Sequence, residues 1–381
     1  MITRAEIDAL SQTVEASFQR LESRIMMDLI NRLSKYSEPS ATTTYEINKL
    51  KELGESETNI KRAIRDTLHL TDKQVNTLFT DNARDLYDNA GRLYALNGEQ
   101  QPPIKDNPGL IATIDGIKRQ TDNSFRNITG SLGFAFKDPA NHIRYKSLRQ
   151  FYTDTLDDAM LDIHSGAFSY QTVLQRTVNK MTNSGLRYIE WESGHGDRVE
   201  VAARRAIMKG YRQVQQEITD ITADDLDAEY FEVSAHSGAR PEHAEWQGGI
   251  YTKDELYTVC GLDDALGLCG INCYHSYEPY FPGLSTRRYS QEKLDAMNEQ
   301  DATPQEYGDT EYTKYDALQH QRALERSMRK YAQAAELLEA GGADDDAILN
   351  TKIKFNVKYA QYKDFSRAMA LPLQRDRIFI H

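Results

Sequence analysis

The feature that most constrains this chain is a run of apolar residues at helical spacing near its start. Ile7, Leu10, Val14, Phe18, Leu21, Ile25 and Leu29 follow one another at steps of 3, 4, 4, 3, 4 and 4. Ile7, Phe18 and Leu29 are therefore equivalent positions of an eleven-residue repeat, which is close to the period of a nearly straight helix. A helix patterned in this way must bury its stripe, and both the rest of the chain and another subunit are open as its partner. The proline and small polar residues of Ser37-Glu38-Pro39-Ser40 break the pattern.

Helical texture continues from there. Residues 41–98 read as helices, with a stop at Leu53-Gly54, a restart at Ser56 and a second break at Leu70-Thr71-Asp72. The stretch from Asn97 to Pro103, followed by Asn107-Pro108-Gly109, reads as a linker. A third helical block covers about 110–182, interrupted near Ile128-Thr129-Gly130-Ser131 and periodic again from Ile143 to Met181. Leu186 to Trp191 is then strand-like, Ser193 to Asp197 is a turn, and Val199 to Ile218 is a helix carrying Arg204 and Arg205. Tyr230 to Ser234 is a second strand. From His236 to Gly283 no period is sustained, and Gly, Pro, aromatic, His and Cys residues concentrate, as in compact irregular structure built around a site. Helix returns with the stripe Leu324, Met328, Tyr331, Ala335 and Leu338, ends at Gly341-Gly342, and restarts at Asp344-Asp345-Asp346. That acidic triplet lacks the alternating oxygen ligands and glycine of a calcium loop. The expected fold is mainly α with a smaller α+β module: an N-terminal helical region at 1–100, a long-helix region at 101–182, the compact α+β module at 183–290, and C-terminal helices at 291–381 packing on it.

Composition narrows the function. The chain has 381 residues, 39% of them apolar and 27% charged, enough for one or two globular units. Its 22 Tyr residues suit surfaces buried in assemblies, and equally the rim of an ordinary core. A net charge of −12 disfavours nucleic-acid binding by the chain as a whole, leaving room only for a local basic stripe. All three Cys residues fall between Cys260 and Cys273, an odd count that fits a reducing compartment better than a disulfide framework. The first residues lack an apolar leader, and no apolar run approaches the roughly 20 residues that span a bilayer, so a soluble protein made in the cytoplasm, without membrane contact, is expected. No P-loop, dinucleotide fingerprint, nucleophile elbow or His-Glu-x-x-His is present, which argues against an NTPase.

Two phrases in the irregular region are far more specific. One runs Ser234-Ala235-His236-Ser237-Gly238-Ala239-Arg240-Pro241-Glu242-His243-Ala244-Glu245-Trp246-Gln247-Gly248. The other runs Gly267-Leu268-Cys269-Gly270-Ile271-Asn272-Cys273-Tyr274-His275 and continues to Glu278-Pro279-Tyr280-Phe281-Pro282-Gly283. Together they closely resemble the phage minor capsid protein 2 family, relatives of the Mu-type, MuF-like head-morphogenesis proteins. The resemblance extends to Gln319 through Arg326 with Arg329-Lys330, and upstream to Ser193-Gly194 and the Arg204-Arg205 helix, so it covers about 185–380. It implies a low-copy virion protein, assembled in the host cytoplasm, that acts in head assembly near the portal. Portal, scaffold or major capsid protein are the partners it implies. It also implies possible packaging with the DNA and ejection with it.

Read as chemistry, the same residues allow three roles. His236, His243, Cys273 and His275 are ligands that Zn²⁺ accepts, with Cys269 able to join them, although the spacing matches no standard zinc finger. Against that stands a site without metal, in which the cysteines are small buried hydrophobes and the imidazoles hydrogen-bond loop backbone. Alternatively His236, Arg240, His243 and His275 would serve a virion-borne nuclease or toxin-like hydrolase, with His as acid and base and Arg stabilising an anion. The third role, favoured because nothing in the sequence shows the imidazoles converging, is a structural lock of His236, Gly238, Arg240, Pro241, His243, Trp246, Gln247, Gly248, Asn272, Cys273 and His275. Separately, Arg322, Arg326, Arg329 and Lys330 fall on one helix face, suited to packaged DNA or an acidic partner, or simply to solvent beside Glu325 and Glu336.

Overall fold

A computed structural model of the chain describes residues 4–37 and 42–378. The N-terminal stripe forms α1, Arg4–Leu33, and Val14, Phe18, Leu21, Ile25 and Leu29 are all buried within the chain itself. The side chains of Ile7 and Leu10 lie outside the described residues, as does the break at residues 38–40. Helix α2, Thr42–Leu96, is a single element of 55 residues, so the expected breaks at Leu53-Gly54 and Leu70-Thr71-Asp72 are corrected. Gly54 is exposed with no heavy atom near the position its Cβ would take, and the Thr71 hydroxyl turns back to the Leu68 carbonyl instead of capping a new helix. Such residues cost a helix only a fraction to about 1 kcal/mol, which burial of Ala63, Val75, Phe79, Ala83 and Tyr87 along α2 outweighs.

The linker forms as expected, and α3, Pro108–Gly130, begins on a proline, where a missing N–H costs nothing. After it the chain departs from the helical reading of 110–182. Strands β1, Leu132–Lys137, and β2, Ile143–Ser147, make an antiparallel hairpin before α4, Leu148–His164, and α5, Tyr170–Ser184. Residues 143–147 fit a helical stripe by spacing, but the reversal at Asp138–His142 pairs them with β1. Ser147 and Ser169 then cap α4 and α5. Strands β3, Arg187–Glu190, and β4, His195–Arg198, complete an antiparallel sheet in the order β2-β1-β3-β4.

Helix α6, Val199–Asp225, leads to a second sheet: β5, Tyr230–Val233, flanked by β6, Ile250–Thr252, and β7, Tyr277–Tyr280. The short helices α7, Pro241–Ala244, and α8, Lys253–Thr258, lie in its connections. The rest is α9, Gln291–Ala302, a small hairpin of β8, Gln305–Tyr307, and β9, Thr310–Tyr312, then α10, Lys314–Ala340, and α11, Asp345–Ala368. With 66% of it helical, the molecule is mainly α with a smaller α+β part. Among the described residues no helix is long and apolar enough to cross a membrane.

Contacts group the chain into two units, each drawn from three stretches. One takes the described residues up to Thr13, Asp72–Asn123 and Arg204–His320; the other takes Val14–Thr71, Ser124–Ala203 and the residues from Gln321 on. Every boundary falls inside a helix (α1, α2, α3, α6 and α10), so these units run across the four consecutive segments read from the sequence. Helices of 30 and 55 residues are long enough to contribute to two cores. The second unit centres on Phe18 against Phe125 and Phe134 against Phe151, with Tyr152 donating to the Ile25 carbonyl at 2.6 Å. In the first unit the second sheet and its loops enclose Phe231, Val233, Trp246, Leu256, Cys260, Leu268, Cys273 and Tyr277.

Candidate functional site

The two sequence phrases meet in the first unit, on the end of the second sheet. Strand β5 leaves the sheet at Val233. Ser234 and Ser276 then tie the two phrases together: the Ser234 N–H donates to the Ser276 carbonyl, and the Ser276 N–H to the Ser234 hydroxyl. Pro241 opens α7, its fixed φ suited to a first helical turn, and that turn presents His243 and Trp246 inward. Gly248, at φ 70°, ends the phrase, in a backbone region that side-chain-bearing residues rarely occupy, with Leu294 filling the space a Cβ would need. The second phrase turns on Cys269 at φ 60° and Asn272 at φ 56°.

At the centre lies Gln247, which is buried. Its Oε1 accepts the His236 N–H at 3.0 Å and the His275 Nε2–H at 3.1 Å, while its Nε2 donates to Asn298 Oδ1 at 2.8 Å. Asn298 in turn donates to the Ala244 carbonyl at 3.0 Å. His243 donates from Nε2 to the Leu266 carbonyl at 2.7 Å, which joins the first phrase to the second. Since Nε2 carries the proton on His275, its Nδ1 accepts from the Cys273 thiol, 3.5 Å away. The rings are close: His236 stacks on His275 at 4.4 Å, and Trp246 lies 4.6 Å from His243 and 4.8 Å from His275.

Arg240 is spent on carbonyls, donating to Ile271 at 2.7 Å and Leu266 at 3.4 Å. The carboxylate of Asp301 receives the Ser237 hydroxyl and the Gly238 N–H, each at 2.7 Å. Burial holds the His243 imidazole below its ordinary pKa, so the ring is neutral near pH 7. It likewise pushes the Cys273 and Cys269 thiols up, and Cys260 up to about 12, so these sulfurs are protonated thiols in the protein as described. His243, Cys273 and His275 are all buried, and their ligand-type atoms lie within 4.8 Å of one another. His236 is half-buried and stands outside that trio.

Three contributors escaped the sequence reading. Arg212, one turn-pair beyond Arg204 on α6, donates to the carbonyls of Gly270 and Cys273, and its burial holds the guanidinium below its usual pKa. Its signal was present in the spacing Arg204, Met208, Arg212 along one helix face. Asn298 and Asp301 come from α9, a mostly exposed polar helix, and nothing local marks them. Beside the motif is a cavity of about 550 Å³, walled by Arg204, Arg205, Lys209 and Arg212 and faced by Cys269, Asn272 and Tyr274. None of its lining residues is a histidine.

The basic residues of α10 belong to the second unit. Arg326 is exposed, Arg329 donates to the Arg377 carbonyl at 2.7 Å, and Lys330 lies 5.3 Å over the Tyr331 ring. Partial desolvation of its guanidinium by neighbouring side chains, together with the charges of Arg329, Arg198 and Arg322, lowers the Arg326 pKa.

Compared with known families, residues 2–365 match the family model described as Phage minor capsid protein 2. No curated protein and no solved structure matches the chain.

Proposed function

Because this chain belongs to the phage minor capsid protein 2 family, we propose that it works in head assembly as a structural part that binds another head protein. Membership makes it a minor capsid protein of a phage virion. The observation that carries the finer reading is an apolar stripe left uncovered on α11. Leu349, Ile353 and Val357 recur every fourth residue and are 56%, 48% and 60% exposed. A helix that turns three large aliphatic side chains to water on one face gains by docking them, and protein interfaces are built around such anchors. Portal, scaffold and major capsid protein are the partners to offer it.

The motif residues support a structural rather than a chemical task. His243 and His275 are buried and hold carbonyl or amide oxygens, and Arg240 is bonded to backbone carbonyls. A nuclease or toxin-like hydrolase using His236, Arg240, His243 and His275 would need an imidazole edge facing substrate, and no observation here favours it. Contact with packaged DNA, and ejection with it, would run through the α10 arginines.

Co-assembly tests the proposal. The chain expressed with portal, scaffold and major capsid protein should co-purify with one of them. Leu349→Glu, Ile353→Glu and Val357→Glu combined should abolish this while leaving the fold intact. Retained association in the triple variant, or normal infectious heads without the protein, would overturn the reading. For DNA, binding should weaken with salt and with Arg322→Gln, Arg326→Gln and Arg329→Gln together; salt-insensitive binding would refute that part.

A further inference from the structure

We propose that His243, Cys273 and His275 form a binding site for one late transition-metal ion of Zn²⁺ type. The argument begins with which nitrogens are available. His243 spends Nε2 on the Leu266 carbonyl and His275 spends Nε2 on Gln247 Oε1, so the lone pair of each ring is on Nδ1. This is the arrangement that metal-binding histidines adopt: the far N–H is fixed by a carbonyl or amide oxygen, which sets both tautomer and ring orientation. Here both second-layer acceptors are themselves fixed, Gln247 by Asn298 and the Leu266 carbonyl by its further bond from Arg240.

The third ligand sits against the second. Cys273 Sγ is 3.5 Å from His275 Nδ1, and the ligand-type atoms of all three residues fall within 4.8 Å of one another. In a tetrahedral site with Zn–N and Zn–S bonds of about 2.0 and 2.3 Å, ligand atoms stand roughly 3.3 to 3.6 Å apart. One pair already has that spacing, and side-chain rotations closing the others by up to about 1.5 Å would complete it. The donor set of two imidazoles and one thiolate selects Zn²⁺ and its neighbours over Ca²⁺ or Mg²⁺. Binding replaces the S–H bond of Cys273 by an S–metal bond and releases that proton to solvent. The ion would staple two loops that have little regular backbone pairing, at the junction of the two sequence phrases.

The site is independent of the head-assembly reading, because it is measured on the isolated chain. The full-length protein, stripped with chelator and dialysed against Zn²⁺, should retain about one equivalent by elemental analysis. Co²⁺ in its place should give a thiolate-to-metal charge-transfer band and the intense visible bands of a tetrahedral ion. In a Cys260→Ser, Cys269→Ser background, where Cys273 is the only thiol, both results should persist, and adding Cys273→Ser should cut retained metal roughly tenfold or more. Uptake of no Zn²⁺ by the folded wild-type chain would overturn the proposal. So would a thiolate band that survives Cys273→Ser or disappears in the Cys260→Ser, Cys269→Ser chain. Because the wild-type titration requires no variant, misfolding of Cys273→Ser does not shield the proposal.

Discussion

Replacing Gln247 by Ala tests whether the motif is a lock. The side chain is buried and makes three bonds, at 3.0 Å to His236 N, 3.1 Å to His275 Nε2 and 2.8 Å to Asn298 Oδ1. A net value near 1 kcal/mol per bond gives a loss of about 3 kcal/mol, with the buried groups left behind acting in the same direction. Urea unfolding followed by tryptophan fluorescence measures this cleanly. The chain has two tryptophans: Trp246, 7% exposed in the first unit, and Trp191, 54% exposed in the second. In a Trp191→Phe background the signal reports Trp246 alone. With a slope of about 2 kcal/mol per molar urea, the midpoint should fall by about 1.5 M. Asn298→Ala breaks the far end of the chain of bonds and should cost about 1 to 2 kcal/mol. The double variant should lose about 1 kcal/mol less than the sum, because the Gln247–Asn298 bond is counted in both. A loss below about 1 kcal/mol for Gln247→Ala, or strict additivity, refutes the network.

Glu22 is buried, and that burial together with Glu200 raises its pKa to about 7. The folded chain therefore holds a proton that the unfolded chain has released between about pH 4.5 and 7, so stability falls as pH rises through that window. Glu22→Gln, which keeps an oxygen for the Leu186 N–H, should match wild type near pH 4 and exceed it by on the order of 1–3 kcal/mol near pH 8; a pH-independent difference in urea midpoints refutes this. Gly210 and Gly54 form a contrasting pair. A Cβ at Gly210 would lie 2.6 Å from Phe79 Cζ and Thr121 Oγ1, whereas nothing lies within 4 Å at Gly54. Gly210→Ala should cost about 1–3 kcal/mol and Gly54→Ala should gain about 0.5–1, read by thermal unfolding. At Asn272, φ 56°, Gly should be tolerated and Val should cost about 1–2 kcal/mol; equal melting temperatures would contradict a left-handed turn there.

Much of this protein is determined locally. The α1 stripe and the linker before α3 follow from side-chain spacing and from the proline and small polar residues that break it. So does the contrast between periodic helices and an aperiodic, His- and Cys-rich region that holds the candidate site. Tertiary structure decided the rest, for reasons a local pattern cannot carry. Gly54 and Thr71 punctuate a helix only where burial along it is weak, and along α2 it is strong. Residues 143–147 satisfy a helical and a strand period alike, and the pairing partner at β1 chose between them. Gln247 and Asn298 are ordinary polar letters 51 positions apart, and only the fold makes them one bond. The same holds for His243, Cys273 and His275. Their residue types were legible in the chain, but the convergence of their ligand atoms within 4.8 Å is a product of the fold, in which the Leu266 carbonyl and Gln247 each hold one of the two rings.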